Sequence, residues 1–347
     1  MRKIACKRVA LKGSRVQEQV AILSSGVWKI RDLVKQLTGF EPVWWMPPLK
    51  QPRFGCVVGW GLKSTSLRAR ELARKHDRSY IAMEDGFIRS IVPGAREIPI
   101  SLIVDRSGVY YDANTRSDLE GLIVRSAQKS SPESIRRARE GIRFLRENRI
   151  SKYNHAPCLS PAELGLDPAP GKRRVLVVDQ TWGDASVTYG KADAASFERM
   201  LKAALEENPG AEIIVKTHPE VVCGRKKGYL FPLDDPRVRM IRQDVNPWSL
   251  IEVVEKVYVV TSQLGFEALL AGREVICFGA PFYSGWGLTD DRVAPVRRKT
   301  ARPSREQLFS ATYLDYARYI CPDTKKEISF EEAVTWLVRK RDRFLNS

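Results

Sequence analysis

The chain has 347 residues, 43% of them hydrophobic, with eight Trp and a formal net charge of +17. That apolar content excludes wholesale disorder, and the length suits two α/β lobes better than one domain. No run of about eighteen apolar residues predicts a membrane span, and the basic start MRKIACKRVALKGSR lacks the apolar stretch of a secretory signal.

Elements follow in chain order. CVVGW (Cys56–Trp60) reads as a buried strand, Ser66–Lys75 as a helix, and YIAMEDG (Tyr80–Gly86) as a strand ending in two carboxylates. SLIVD (Ser101–Asp105) and GVYYD (Gly108–Asp112) bracket a tight turn and predict a hairpin. Ser134–Asn148 is an amphipathic helix, with Ile135, Ala138, Ile142 and Leu145 on one stripe and arginines opposite. These form a first lobe, residues 1–150. Residues 151–172, rich in Pro and Gly, are the expected linker.

The second lobe, residues 173–303, opens on the apolar strand of RRVLVVDQ. Helix Ala192–Asn208, strand Glu212–Lys216, helix Pro247–Lys256, strand Val257–Val260, helix Gly265–Ala271 and strand Glu274–Phe278 follow. Such alternation predicts a parallel, doubly wound sheet. Residues 304–347 carry two helices, Ser304–Ile320 and Phe330–Phe344, expected to pack across the lobes.

Several residues carry candidate chemistry. Glu84 and Asp85 at a strand end can act as a base or orient a sugar hydroxyl; a plain Asp-Gly turn at Gly86 is the alternative. Asp179, after a buried strand, can be a nucleophile or stabilise a cationic transition state, and so can Asp184, unless it caps a helix. Lys216 and His218 end another strand, where Pro219 holds His218 extended; the pair can neutralise a phosphate and donate a proton to it. Thr261 and Ser262 stand where a strand meets a helix, a place that holds either a cap or a phosphate. Glu267 in the first turn can grip a ribose diol, or simply answer the helix dipole. Tyr283 and Trp286, in a Gly-rich loop, can stack on a sugar or base, or plug the core. No GxxxxGK[ST], GxGxxG or GxSxG motif is present.

Six cysteines (6, 56, 158, 223, 277, 321) without a CxxC, and three His, give no zinc framework and suggest reduced, cytosolic thiols. The basic clusters Arg2–Arg15, Arg136–Arg149, Arg225–Lys227, Arg297–Arg305 and Arg339–Arg343 favour a polyanionic partner. Nucleic acid, an anionic bilayer and an acidic sugar with its nucleotide donor all qualify. The basic stretches are poor in aromatics, which argues against nucleic acid.

MEDGFIRS, PISLIVDRSGVYYDA, VVDQTWGDASVTYG, VKTHPE, TSQLGFEALLAG and PFYSGWGLTDDR occur together and in this order. Together they resemble the KpsC-type capsule-synthesis proteins, retaining β-Kdo transferases of Gram-negative bacteria, from about Gly26 to Tyr319. (Kdo is 3-deoxy-D-manno-oct-2-ulosonic acid.) The EDG and HP pair also resembles that of bacterial sialyltransferases, which makes a CMP-sialic acid transferase the nearest rival; a non-catalytic membrane-surface, nucleic-acid or capsule-export protein is a further one. The resemblance implies a GT-B α/β fold, two Rossmann-like domains with CMP-β-Kdo in the cleft between them, and a lipid-linked acceptor of the phosphatidylglycerol or Kdo-primed type. It implies donor binding by Lys216, His218, Pro219, Thr261, Ser262, Gln263, Gly265, Glu267, Gln180, Ser186, Tyr283 and Trp286. Catalysis would fall to Asp179 as nucleophile, with Asp184 the alternate, Glu84 or Asp85 as base, and His218. No metal and no cofactor beyond the donor is expected. The expected location is cytoplasmic, peripheral on the anionic inner membrane, beside other capsule-synthesis proteins. KpsC proteins resemble two such modules in tandem, where this chain has room for one, and its TSQLGFEALLAG is closer to the first.

Overall fold

A computed structural model describes residues 19–46, 54–94, 97–166, 171–230 and 235–346, which leaves the basic cluster Arg2–Arg15 outside the described residues. The chain divides into two compact units, Met1–Ile81 and Ala82–Ser347. In the first, strands β1 (Gln19–Ile22), β2 (Glu41–Trp44) and β3 (Cys56–Trp60) run parallel in the order β3-β1-β2. Helices α1 (Ser25–Lys29) and α2 (Arg31–Thr38) make the crossover that the parallel β1–β2 pairing demands, and α3 (Leu67–Lys75) follows β3. Ser24 caps α1 by accepting from Val27 N, and Gly39 ends α2 with φ 75°. Ala21, Phe54, Val57, Ala69 and Ala73 pack between strands and helix.

The second unit begins within β4 (Ser79–Asp85), followed by β5 (Ser101–Asp105), α4 (Asp118–Gln128) and α5 (Pro132–Glu147). The expected hairpin is absent: β5 pairs antiparallel with β4, and Gly108–Asp112 forms no strand. The buried Asp105 carboxylate is the reason. It accepts N–H bonds from Ser107 (2.9 Å), Gly108 (2.8 Å) and Asp118 (3.0 Å), which steer the chain into α4 rather than back along β5.

Then come β6 (Arg174–Val178), α6 (Ala185–Tyr189), α7 (Ala194–Glu207), β7 (Glu212–Lys216), α8 (Pro219–Val222) and β8 (Val238–Ile241). They are followed by α9 (Pro247–Ile251), β9 (Lys256–Val259), α10 (Leu264–Leu270), β10 (Glu274–Cys277) and the two-residue β11 (Asp290–Asp291). These six strands form one wholly parallel sheet in the order β8-β7-β6-β9-β10-β11. That is the doubly wound order expected of alternating apolar strands and helices, and its direction of winding reverses between β6 and β9.

The chain ends with α11 (Arg305–Phe309), a π-helical turn at Ser310–Tyr316, β12 (Arg318–Ile320), β13 (Glu327–Ile328) and α12 (Phe330–Leu345). The single helix expected over Ser304–Ile320 is therefore a helix, a π-turn and a strand. Leu308, Ala311 and Tyr313 keep one buried side, which mimics helical spacing, while Arg318–Tyr319 pairs with β5 instead. The π-turn packs on α4 and α5, and α11 touches α4, α5 and α10. The fold class is α/β, as the sequence indicates, with C-terminal helices joining both halves of the second unit.

Candidate functional site

Ligands of open α/β sheets bind beyond the carboxyl ends of the strands where winding reverses. Here that place lies between Asp179-Gln180, after β6, and Val260-Thr261, after β9. The Gln180 side chain spans it: Oε1 accepts from Thr261 N (2.9 Å), and Nε2 donates to Thr261 Oγ1 (3.1 Å) and Ser186 Oγ (3.4 Å). Ser186 Oγ and Thr261 Oγ1 lie 3.0 Å apart. Gln180, Ser186 and Thr261 thus form one polar floor. Ser262 Oγ accepts from the N–H of Leu264, the first residue of α10, at 3.3 Å.

The two aspartates differ. Asp179 is 3% exposed, and its Oδ1 accepts from Gln180 N (2.9 Å), Tyr229 N (3.1 Å) and Leu230 N (3.2 Å). Its Oδ2 is buried without a hydrogen-bond donor among the described residues. Burial pushes its carboxyl above the usual range, against the pull of those three N–H groups. Asp179 is committed to holding the 228–230 segment. Asp184 caps α6 through Ser186 N (2.9 Å) yet stays half-exposed, and its charge reaches Tyr110, Lys152 and His218.

Lys216 ends β7 almost wholly buried, its Nζ donating to Thr217 O (3.3 Å) and Gln243 O (3.4 Å). Burial brings its pKa down to about 8, although Asp244 opposes the shift. His218 Nδ1 accepts from Glu220 N (3.2 Å), which fixes the neutral ring with its proton on Nε2. Burial, helped by Lys216 and Lys226, holds the imidazole below its ordinary value. Pro219 opens α8; its side chain lies outside the described residues.

From the other half of this unit, β4 delivers Glu84, buried, and Asp85, which pairs with Arg89 at 2.8 Å. Gly86 is required there, since a Cβ would lie 2.0 Å from Ser101 Oγ. Two neighbours of these carboxylates were not singled out in the sequence. Burial, then the charges of Glu84, Tyr111, Asp85 and Asp184, push the Tyr110 phenol well up. Burial works to lower the pKa of Lys152, but Tyr153, Asp85, Glu84 and Asp184 outweigh it and raise the ammonium above its usual value. Lys152 lies in the 151–172 stretch, whose sequence has no periodicity to mark it.

The remaining predicted residues are interior. Glu267 is 3% exposed; its Oε1 accepts from Ser151 Oγ (2.7 Å) and Gln263 Nε2 (3.5 Å), and burial raises its pKa to about 7. Gln263 Nε2 also donates to Phe87 O at 2.6 Å, tying α10 to the end of β4. Tyr283 is fully buried with its hydroxyl on Ser262 O (2.5 Å), and Trp286 is buried with its indole N–H on Phe282 O (2.8 Å). Both rings fill the core beneath the loop. Gly265 gives them room, since a Cβ there would lie 2.2 Å from Tyr283 Oη.

A family described as capsule polysaccharide biosynthesis protein matches residues 55–319. The chain is 44% identical over 297 residues to the capsule polysaccharide modification protein LipA of Neisseria meningitidis serogroup B, covering 83% of this chain and 42% of that protein. It is 38% identical over 288 residues to the lipopolysaccharide-processing protein LpsZ of Rhizobium meliloti, covering 82% of this chain and 64% of that one. The chain thus spans less than two thirds of these relatives. Among solved structures, the β-Kdo 2,4-transferase of Thermosulfurimonas dismutans KpsC is 41% identical, with a TM-score of 0.85 over 93% of this chain and 98% of that one. The β-Kdo 2,7-transferase of the same KpsC is 30% identical, with a TM-score of 0.70 over 94% and 100%.

Proposed function

This chain belongs to the capsule polysaccharide biosynthesis protein family, and from that premise we propose that it is a glycosyltransferase of the Kdo-transferase type, with the following donor, acceptor and mechanism. The donor is CMP-β-Kdo, the acceptor a lipid-linked or Kdo-primed glycan, and the configuration is retained. The greater likeness to the 2,4-transferase than to the 2,7-transferase supports a 2,4 linkage. The observation that carries the reading is the polar cluster at the winding reversal. It has Thr261, Ser186 and Gln180 as its floor, Lys216 and His218 at a neighbouring strand end, and the half-exposed Asp184 electrostatically in reach of both His218 and the Glu84-Asp85 side.

In this scheme Lys216 and the Nε2–H of His218 take up charge on the departing CMP phosphate. The Asp184 carboxylate bonds to the anomeric carbon as the carbon–phosphate oxygen bond breaks, the first inversion. The acceptor hydroxyl then displaces Asp184, giving its proton to Glu84 or Asp85, the second inversion. Asp184 is preferred to Asp179 because the latter is buried and saturated on one oxygen. No step calls for a metal or a further cofactor. The work is placed peripherally on the cytoplasmic face of an anionic inner membrane, alongside other capsule-synthesis proteins; no helix among the described residues is long and apolar enough to cross a membrane.

The test incubates purified protein with CMP-Kdo generated in situ and a Kdo-primed synthetic lipid, reading product mass, anomeric configuration and linkage. A β-2,4-linked product is expected, and Asp184→Asn, which keeps a capping oxygen, should abolish transfer while CMP still binds. An α-linked product would refute retention. Full turnover by Asp184→Asn would remove the nucleophile, and turnover of CMP-sialic acid alone would replace the donor. His218→Ala should lower kcat by roughly 10²–10³, the range for one lost donor to developing charge.

A further inference from the structure

Trp182 stands on the loop that joins Asp179 to Asp184 and is 59% exposed, alone among the large apolar side chains of residues 171–230 described. Its position is built rather than loose. Its backbone N donates to Lys227 O (2.7 Å), Thr181 bridges to Gly228, and Gly183 turns the chain with φ 79°. The indole lies on Tyr229 (centroids 4.9 Å apart, 32° between planes), which stacks on the fully buried Phe197 at 4.0 Å and 3°. Asp179 Oδ1 holds Tyr229 and Leu230 by their N–H groups, so the middle ring is anchored to the strand end beneath the candidate site. Gly228 is part of the same joint, because a Cβ there would lie 2.3 Å from Asp179 Oδ2.

The outcome is a fixed aromatic plate with one face on Tyr229. Arg225, Lys226 and Lys227, all exposed, precede Gly228 on the strip whose backbone pairs with the plate's loop at Lys227 and Gly228, and Lys226 reaches Glu220 at 2.7 Å, two residues from His218. A plate with adjacent cations suits a pyranose that carries a carboxylate: the C–H face packs on the indole while the carboxylate meets an ammonium or guanidinium. We propose that Trp182, with the Arg225–Lys227 strip, is the subsite for the acidic sugar at the acceptor's growing end. The inference rests on the glycosyltransferase reading, because the plate lies on the loop between the two aspartates but outside the Gln180–Thr261 floor assigned to the donor. A single indole with cations around it has too little apolar area to be a lipid-inserting patch.

The probe is a soluble Kdo disaccharide without lipid, titrated calorimetrically into the CMP-bound protein and used as acceptor in steady-state assays. Trp182→Ala should weaken disaccharide binding and raise the acceptor KM roughly tenfold, the loss of one stacking contact. The donor KM should stay within about twofold, and Trp182→Phe should recover part of the loss. Added salt should weaken the wild-type interaction, and maltose, a neutral disaccharide, should bind less well. Wild-type binding and acceptor KM in Trp182→Ala would overturn the subsite. So would a defect confined to anionic vesicles, which would make the plate a lipid contact. If the wild type binds the disaccharide through Trp182 but transfers no Kdo, the reaction assigned above fails and the subsite stands.

Discussion

Glu267 shows how far a residue's place in a helix falls short of its role. Its first-turn position was legible, and so was the favourable dipole. Its burial was not, because the hydroxyl that meets it belongs to Ser151, 116 residues away in sequence. The carboxyl is raised from 4.5 to about 7, so the folded protein binds its proton more tightly than the unfolded chain does. That contribution is complete below pH 4.5 and is lost as pH rises through about 7, a swing of roughly 3 kcal/mol. Glu267→Gln keeps an acceptor for Ser151 and removes the titration. Its stability relative to wild type should therefore climb between pH 5 and pH 8 in urea melts. A difference that is flat with pH would show that this carboxyl titrates normally. The Asp179 and Asp184 pair carries the same lesson: both follow one strand, and only the fold shows that one is tied to three backbone N–H groups.

At the level of elements, strands that are buried on both faces were the easiest to read. VLVV, IIV and VYVV are continuous apolar runs, and each is a strand of the parallel sheet within a residue or two. What failed were segments whose local pattern competes with a distant partner: Gly108–Asp112, redirected by the Asp105 carboxylate, and Arg318–Ile320, recruited by β5. Close approach is equally silent in a sequence. Gly265 lies in α10, where glycine disfavours helix, yet it is the only residue that leaves space for Tyr283. Gly265→Ala should cost about 1–3 kcal/mol through overpacking. Trimming the hydroxyl in Tyr283→Phe removes the nearer clash, so the double variant should lose less than the sum of the singles. Strict additivity in chemical denaturation would mean that the ring simply moves aside.

Over the whole molecule, the basic clusters are less available than their Arg and Lys content suggests, because acidic partners sit on them. On α5, Arg137 pairs with Glu331, Arg139 with Glu306 and Arg143 with Glu147. In the Arg297–Arg305 cluster, Arg297 and Arg298 both close on Glu120 at 2.8 Å, with Glu120 and Arg298 buried. Arg298 also donates to Pro281 O (2.6 Å) and Ser284 O (3.3 Å), and Arg297 to Ala113 O (2.8 Å) and Thr115 O (2.7 Å). One carboxylate on α4 therefore fastens the aromatic loop to the loop before α4, across the second unit. Burial lowers the pKa of Arg298, and Glu120 is the first charge that opposes it. Removing that charge leaves a buried guanidinium uncompensated, a loss of about 3–5 kcal/mol. Glu120→Gln should lower thermal stability by that amount and reduce transfer, since the loop it holds carries Tyr283, which buttresses Ser262. Adding Arg298→Met removes the stranded charge and should regain part of the stability in the same melts. If the double variant is less stable than Glu120→Gln alone, the contacts of Arg298 to Pro281 and Ser284, and not its pairing with Glu120, hold the loop.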